Sequence, residues 1–168
     1  MGNFKEEIAK VRAFVFDVDG VFTDGRILLT PDGEFLREYS VRDGLAVVRA
    51  VECGYPIGII SGGRGEQLRR RMEGLGIRHI YTGKDSKLES LHHFSEQCGV
   101  GLDEMIYMGD DIPDIAPMRA VRLATAPADA DAAVKGVVHY VSGFAGGRGC
   151  VRDIIEQVLR ARGDWFAY

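Results

Sequence analysis

Short apolar runs alternating with amphipathic segments constrain this chain more than any other feature. Residues 11–16 read as a buried strand, and so do 57–60, 80–81, 105–108 and 137–141, with 123–125 a weaker run. Between them, residues 45–53, 65–75, 86–98 and 112–120 carry helical spacing. Strands that are apolar throughout, rather than alternating, belong in a sheet covered on both faces. Repeated strand and helix units therefore predict an α/β, Rossmann-like parallel sheet with helices on both faces. A last helix is expected over 151–162, where Val151, Ile154, Ile155, Val158 and Leu159 form one stripe. At 168 residues the chain is expected to form a single domain, 1–168, large enough to bury a core without disulfides.

One segment breaks the rhythm. Residues 26–29, the turn Thr30-Pro31-Asp32-Gly33 and residues 34–40 read as a β-hairpin, about 26–40. Pro fixes φ, Asp bonds the backbone and Gly accepts positive φ, so the turn has a mechanism. A lone hairpin is marginal in water. It is either a surface excursion or an element that meets another subunit.

Charge and composition remove several partner classes. Lys and Arg number 21 against 25 Asp and Glu, a net charge of −4, whereas nucleic-acid binders carry a basic surplus. The longest uncharged stretches, 53–63 and 136–147, fall short of the ~18 residues that span a bilayer. The mixed-charge start has no apolar run behind it, unlike a signal peptide. Cys53, Cys98 and Cys150 are odd in number and far apart, which suits a reducing compartment. The expectation is a cytoplasmic protein with no nucleic-acid and no membrane partner.

Four predicted strand-end loops carry chemistry. Phe14-Val15-Phe16-Asp17-Val18-Asp19-Gly20 ends the first strand in two carboxylates, at the edge where open α/β sheets bind ligands. Such a pair serves as nucleophile and acid/base partner, or, more blandly, as a cap or solvated turn. Met108-Gly109-Asp110-Asp111-Ile112-Pro113-Asp114 crowds three carboxylates, which repel unless a cation joins them. With Asp17 they suit Mg²⁺, a hard cation; Asp at a helix start has the simpler explanation of the helix dipole. Ser61-Gly62-Gly63-Arg64 offers a hydroxyl and backbone N–H groups to phosphate oxygens, or a helix cap. Lys87, in Gly83-Lys84-Asp85-Ser86-Lys87, opens a helix against the dipole's preference and fits a phosphate counter-charge. The four histidines show no metal spacing, Asp129 and Asp131 read as a turn or cap, and Trp165, Phe166 and Tyr168 form an aromatic end.

Along the chain the order is carboxylate pair, hydroxyl, lysine and carboxylate cluster, and in that order these loops resemble the four motifs of the haloacid dehalogenase superfamily of phosphotransferases. The resemblance implies Asp17 as nucleophile, Asp19 as general acid/base, Ser61 as the hydroxyl on the transferring phosphoryl and Lys87 as the neutralising cation. It implies a Mg²⁺ site from Asp17, the main-chain oxygen of Asp19, Asp110 and Asp114, the last as its support. Only about 40 residues separate Asp19 from Ser61, too few for a cap domain.

Asp-Val-Asp-Gly-Val, the hairpin, Ser40-Val41-Arg42-Asp43-Gly44 and Gly146-Gly147-Arg148-Gly149 narrow the likeness to the 3-deoxy-D-manno-octulosonate 8-phosphate phosphatases. That likeness implies an aspartyl-phosphate route, a phosphorylated sugar acid as substrate and a homotetramer. In it the tail, 143–168, reaches a neighbour's site. It implies substrate contacts at Asp19, Ser40, Val41, Arg42, Asp43, Gly44, Gly62, Arg71 and Lys87, with Arg148 from the neighbour. Guanidinium groups at 42 and 71 would suit a sugar-acid carboxylate. Arg64 is also expected to contact substrate, although the family pattern reads hydroxyl-Gly-Arg and here the second glycine shifts Arg64 by one position. A nine-carbon keto-deoxy acid 9-phosphate is the rival substrate, and a non-catalytic oligomerisation module the rival function.

Overall fold

The protein is described here by a computed structural model that covers residues 4–83 and 86–167. A short helix, α1 (Phe4–Glu7), precedes β1 (Ala13–Phe16). The hairpin strands β2 (Leu28–Leu29) and β3 (Phe35–Leu36) follow, then α2 (Val41–Glu52), β4 (Ile57–Ser61), α3 (Glu66–Gly74) and β5 (His79–Thr82). The second half runs α4 (Lys87–Cys98), β6 (Met105–Met108), α5 (Ile115–Ala120), β7 (Leu123–Ala126), α6 (Ala132–Lys135), β8 (Tyr140–Val141) and α7 (Cys150–Arg162). The sheet order is β5-β4-β1-β6-β7-β8, and every pairing in it is parallel.

Each central strand is buried on both faces, as its unbroken apolar run requires. Phe14 and Phe16 of β1, with Ile106 and Met108 of β6, pack into the layer beneath α2, α3 and α7. Ala13 and Val15, with Met105 and Tyr107, pack into the opposite layer against α4 and α5. The two-residue period of a strand thus feeds two cores from one sequence. Between β1 and β5 lie only the hairpin, α2, β4 and α3, and no cap domain stands among the described residues.

Four departures from the sequence pattern have local causes. The helix expected over 112–120 opens as a 3₁₀ turn, Ile112–Asp114, because Pro113 and the Asp111 cap set its first residues. The strand expected over 137–141 pairs only at Tyr140–Val141, since Val137 N–H still bonds back to Val134 of α6. The hairpin is shorter than 26–40, pairing only Leu28 with Leu36 and Leu29 with Phe35. Residues 164–166 fold onto their own α2: Arg49 donates to the Asp164 carbonyl at 2.9 and 2.6 Å, and Tyr55 donates to its carboxylate at 2.7 Å. Trp165 is buried there beneath Arg152. Tyr168, the last of the aromatic end, lies outside the described residues.

Candidate active site

The C-terminal ends of β1, β4 and β6 converge on one cavity of about 350 Å³, lined by Asp17, Asp19, Ser61, Lys87, Asp110 and Asp111 among others. Parallel strands all deliver their following loops to this edge, so residues from loops distant in sequence become neighbours. After β1 the chain turns tightly, with the Val18 carbonyl accepting from the N–H groups of Val21, Phe22 and Thr23. Gly20 sits in that turn at φ +85°, and a Cβ there would stand 1.9 Å from Asp110 Oδ2. Only glycine lets the first loop and the Asp110 loop come this close.

Lys87 is the hinge of the electrostatics. Its ammonium donates to Asp17 Oδ2 and to Asp114 Oδ1, each at 2.7 Å. Burial would lower the Lys87 pKa, but the two carboxylates outweigh it and hold the group above its ordinary value. Asp17 is pushed up to about 7, chiefly by burial and then by the Asp114 charge, against the pull of Lys87. Asp110 is also pushed up to about 7, by burial and by Asp17 and Asp114.

Asp17, Asp110 and Asp114 each place a carboxylate oxygen within 4.8 Å of the others. With all three ionised, three carboxylates against one lysine leave two excess negative charges, which a divalent cation would neutralise in place of the protons. The three are not equivalent. Asp114 Oδ1 accepts from Tyr107 and Lys87, and Oδ2 from the backbone N–H groups of Asp110 and Asp111. Asp110 Oδ1 is buried with no hydrogen-bond partner. A buried carboxylate oxygen without a donor is costly, and a hard cation such as Mg²⁺ is the partner it fits. The donor set therefore suits the ion expected from the sequence.

The other expected residues divide into groups. Ser61 is buried; its hydroxyl accepts from Gly63 N–H at 3.1 Å, while Gly65 occupies the cap position of α3. Gly62 lines the same cavity. Ser40, Val41, Arg42 and Arg148 line a separate cleft of about 340 Å³, where Ser40 also caps α2. Asp43 is fully buried and accepts from Arg152 N–H of α7 at 2.8 Å, so its carboxylate faces α7. Gly44 is buried beside Arg71, whose guanidinium lies 5.7 Å from the Tyr39 ring centre. Arg64 lies across Gly83 and does not line the cavity of Asp17. Lys84 and Asp85, part of the lysine loop, lie outside the described residues. Asp111 and Asp131 act as caps, and Asp129 accepts from Gly146 N–H at 2.9 Å.

Two site residues escape a sequence reading. Tyr107 is hidden inside the apolar run of β6, yet its hydroxyl donates to Asp114 at 2.7 Å. Arg37 lies in the segment expected as the hairpin, outside the four loops that carry chemistry, yet pairs with Asp19. A polar hydroxyl in an otherwise apolar strand was the one available signal for the first. Nothing in the sequence marks the second.

No protein-family model matches the chain. Comparison with curated proteins finds the 3-deoxy-D-manno-octulosonate 8-phosphate phosphatase of Yersinia pestis, 35% identical over 157 residues, covering 94% of this chain and 84% of that one. The 1.95 Å crystal structure of a Yersinia pestis phosphatase of that name superimposes with a TM-score of 0.94, at 34% identity, over 96% of this chain and 88% of that one. The Moraxella catarrhalis phosphatase, solved in complex with a magnesium ion, a phosphate ion and KDO, gives a TM-score of 0.90 at 30% identity, over 94% and 90%. With its motifs on one sheet edge and its likeness running nearly end to end, the chain belongs to the 3-deoxy-D-manno-octulosonate 8-phosphate phosphatase family of the haloacid dehalogenase superfamily.

Proposed function

We propose that the protein hydrolyses 3-deoxy-D-manno-octulosonate 8-phosphate to the free sugar acid and phosphate, with Mg²⁺ as cofactor. The observation that carries this reading is the Asp17–Lys87–Asp114 chain of ion pairs beside the unpartnered Asp110 oxygen. It provides a nucleophile, a counter-charge and a cation site within one cavity.

The chemistry runs in two displacements. An Asp17 carboxylate oxygen attacks phosphorus, the P–O bond to the sugar breaks, and Asp19 protonates the departing sugar oxygen. Water then attacks the aspartyl phosphate, Asp19 takes its proton, and phosphate leaves with Asp17 restored. Lys87 neutralises charge on Asp17 and the phosphoryl group throughout, and Ser61 with the Gly62 and Gly63 backbone cradles phosphoryl oxygens. Asp17, Asp110 and the main-chain oxygen of Asp19 would hold Mg²⁺, and Asp114, satisfied by protein donors, fixes Lys87 and the Asp110 loop from outside. When bound, the cation supplies neutralisation of the phosphoryl oxygens.

Beyond the phosphate, Ser40 to Arg42 and Arg148 line one cleft apart from the Asp17 cavity of the same chain, and we assign that cleft to the sugar acid held in a neighbouring subunit's site, with guanidinium matching its carboxylate. The hairpin leaves Leu28 66% and Leu29 64% exposed, with Phe35 and Leu36 beside them. An apolar patch on so small an element favours burial by other subunits. The proposal is a homotetramer in which Arg148 and its loop face a neighbour's site, the end of the tail being held on its own α2. Among the described residues no helix is long and apolar enough to cross a membrane. The three free thiols fit a cytoplasmic setting.

The test is phosphate release with Mg²⁺ from the eight-carbon 8-phosphate and a nine-carbon keto-deoxy acid 9-phosphate, side by side. A higher kcat/KM for the eight-carbon compound supports the proposal. A preference for the nine-carbon compound moves the substrate while keeping the chemistry. Release from neither by the folded protein favours an oligomerisation module.

A further inference from the structure

The hairpin's second strand ends one residue before Arg37, and there the chain does something its neighbours do not. Phe35, Leu36 and Glu38 are exposed, while the Arg37 side chain turns inward and is 5% exposed. Its Nε donates to Asp19 Oδ1 at 2.7 Å and its Nη2 to Asp19 Oδ2 at 3.1 Å. Two parallel bonds from a planar fork fix a carboxylate in both position and plane, which a lysine's single point charge does not. Among the described residues these are the hydrogen bonds the structure gives the Asp19 carboxylate.

The second loop meets this pair without a side chain. A Cβ on Gly63 would stand 2.9 Å from Asp19 Oδ2, 3.0 Å from Arg37 Nη2 and 3.2 Å from Ser61 Oγ. The Asp19 carboxylate, the guanidinium and the hydroxyl therefore crowd one point over bare backbone. The guanidinium is nearly solvent-free while Asp19 keeps 25% of its side chain exposed toward the cavity, so unpairing costs Arg37 a desolvated charge.

We propose that Arg37 is a positioning residue of the phosphatase: its guanidinium fork fixes the Asp19 carboxylate beside Ser61, and so ties proton transfer to the conformation of the hairpin stem. The inference rests on the proposed reading of Asp19 as the acid that protonates the leaving sugar oxygen; the fork seen here holds the ionised carboxylate, and one of its two bonds is released when Asp19 carries the proton. It assigns Arg37 no contact with substrate.

The experiment uses the full chain with Mg²⁺, comparing wild type, Arg37→Met, Arg37→Lys, Asp19→Asn and the double variant Arg37→Met with Asp19→Asn. Two substrates are read: the eight-carbon 8-phosphate, whose alkoxide leaves poorly without a proton, and p-nitrophenyl phosphate, whose phenolate leaves without one. Arg37→Met should lower kcat/KM for the sugar phosphate by about 10²-fold, the low end of what a positioned acid contributes. The loss on p-nitrophenyl phosphate should be about tenfold smaller, and the double variant should fall no further than Asp19→Asn alone. Arg37→Lys should lie between, and inhibition by inorganic phosphate should stay unchanged in every Arg37 variant.

Equal losses on both substrates that add to Asp19→Asn would overturn the positioning role, as would an unchanged Arg37→Met. Weakened inhibition by phosphate would make Arg37 a direct phosphoryl ligand instead. If Arg37→Met fails to melt cooperatively, the lysine variant decides by the same comparison. Loss of activity in Asp19→Asn with none in Arg37→Met sinks this inference alone, whereas a wild type inactive on both substrates sinks the functional reading and the inference together.

Discussion

At the scale of the residue, the site is a balance of buried charge. Asp17 has its two oxygens on Val18 N–H and Lys87 Nζ, each at 2.7 Å. Asp17→Asn keeps the shape and removes the nucleophile, so turnover should vanish while cooperative melting persists; an active Asn variant would exclude the aspartyl-phosphate route. Gly20→Ala probes the cation site from behind. The substitution places a Cβ 1.9 Å from Asp110 Oδ2 in a left-handed turn, where an L side chain costs about 1–2 kcal/mol. Calorimetry should find weaker Mg²⁺ binding together with a lower melting temperature. Retained Mg²⁺ affinity would place the ion away from Asp110.

At the scale of the element, position decides what a motif residue does. Asp43 lies in the first turn of α2, in the stretch expected to contact substrate, yet it accepts from Arg152 N–H and joins α2 to α7. Ser40 is both a cap and a cleft residue. These assignments depend on which neighbour packs against the helix, which spacing along the chain does not contain. The hairpin differs, since its turn was readable from Thr30-Pro31-Asp32-Gly33 and its exposed leucines follow from its isolation from the main sheet. If the proposed tetramer forms through the hairpin, Leu29→Glu should leave the fold intact and shift light-scattering mass to smaller species, because it charges the exposed apolar face assigned to the assembly. An unchanged mass would remove the hairpin from the assembly.

At the scale of the whole molecule, the sheet edge couples stability to pH and metal. Asp17 and Asp110 titrate near 7 in the folded protein, against an ordinary value of 3.8. The folded state therefore holds their protons more tightly than the unfolded chain does. Their contribution to stability is complete below about pH 4 and is lost as pH rises to about 7 and beyond. A cation replaces those protons. Mg²⁺ should raise the melting temperature more at about pH 8 than at about pH 5, compared with the protein in a chelator, because protons compete with it at the lower pH. An equal rise at both would separate the ion from these carboxyls.

The amino-acid sequence by itself determined the parallel sheet and the order of its chemical loops, and it marked Asp17, Ser61, Lys87 and Asp110, which line one cavity, as a candidate set. Apolar runs, turn residues and charge placed at strand ends are local properties, and a parallel sheet sends all such loops to one edge. Tertiary structure alone decided the rest. It brought Arg37 from the hairpin onto Asp19, put the Tyr107 hydroxyl under Asp114, turned Asp43 toward α7 and folded Asp164 onto α2. Each of these contacts joins parts of the chain whose partner is chosen by packing, and a buried polar group is satisfied by whichever donor the fold delivers.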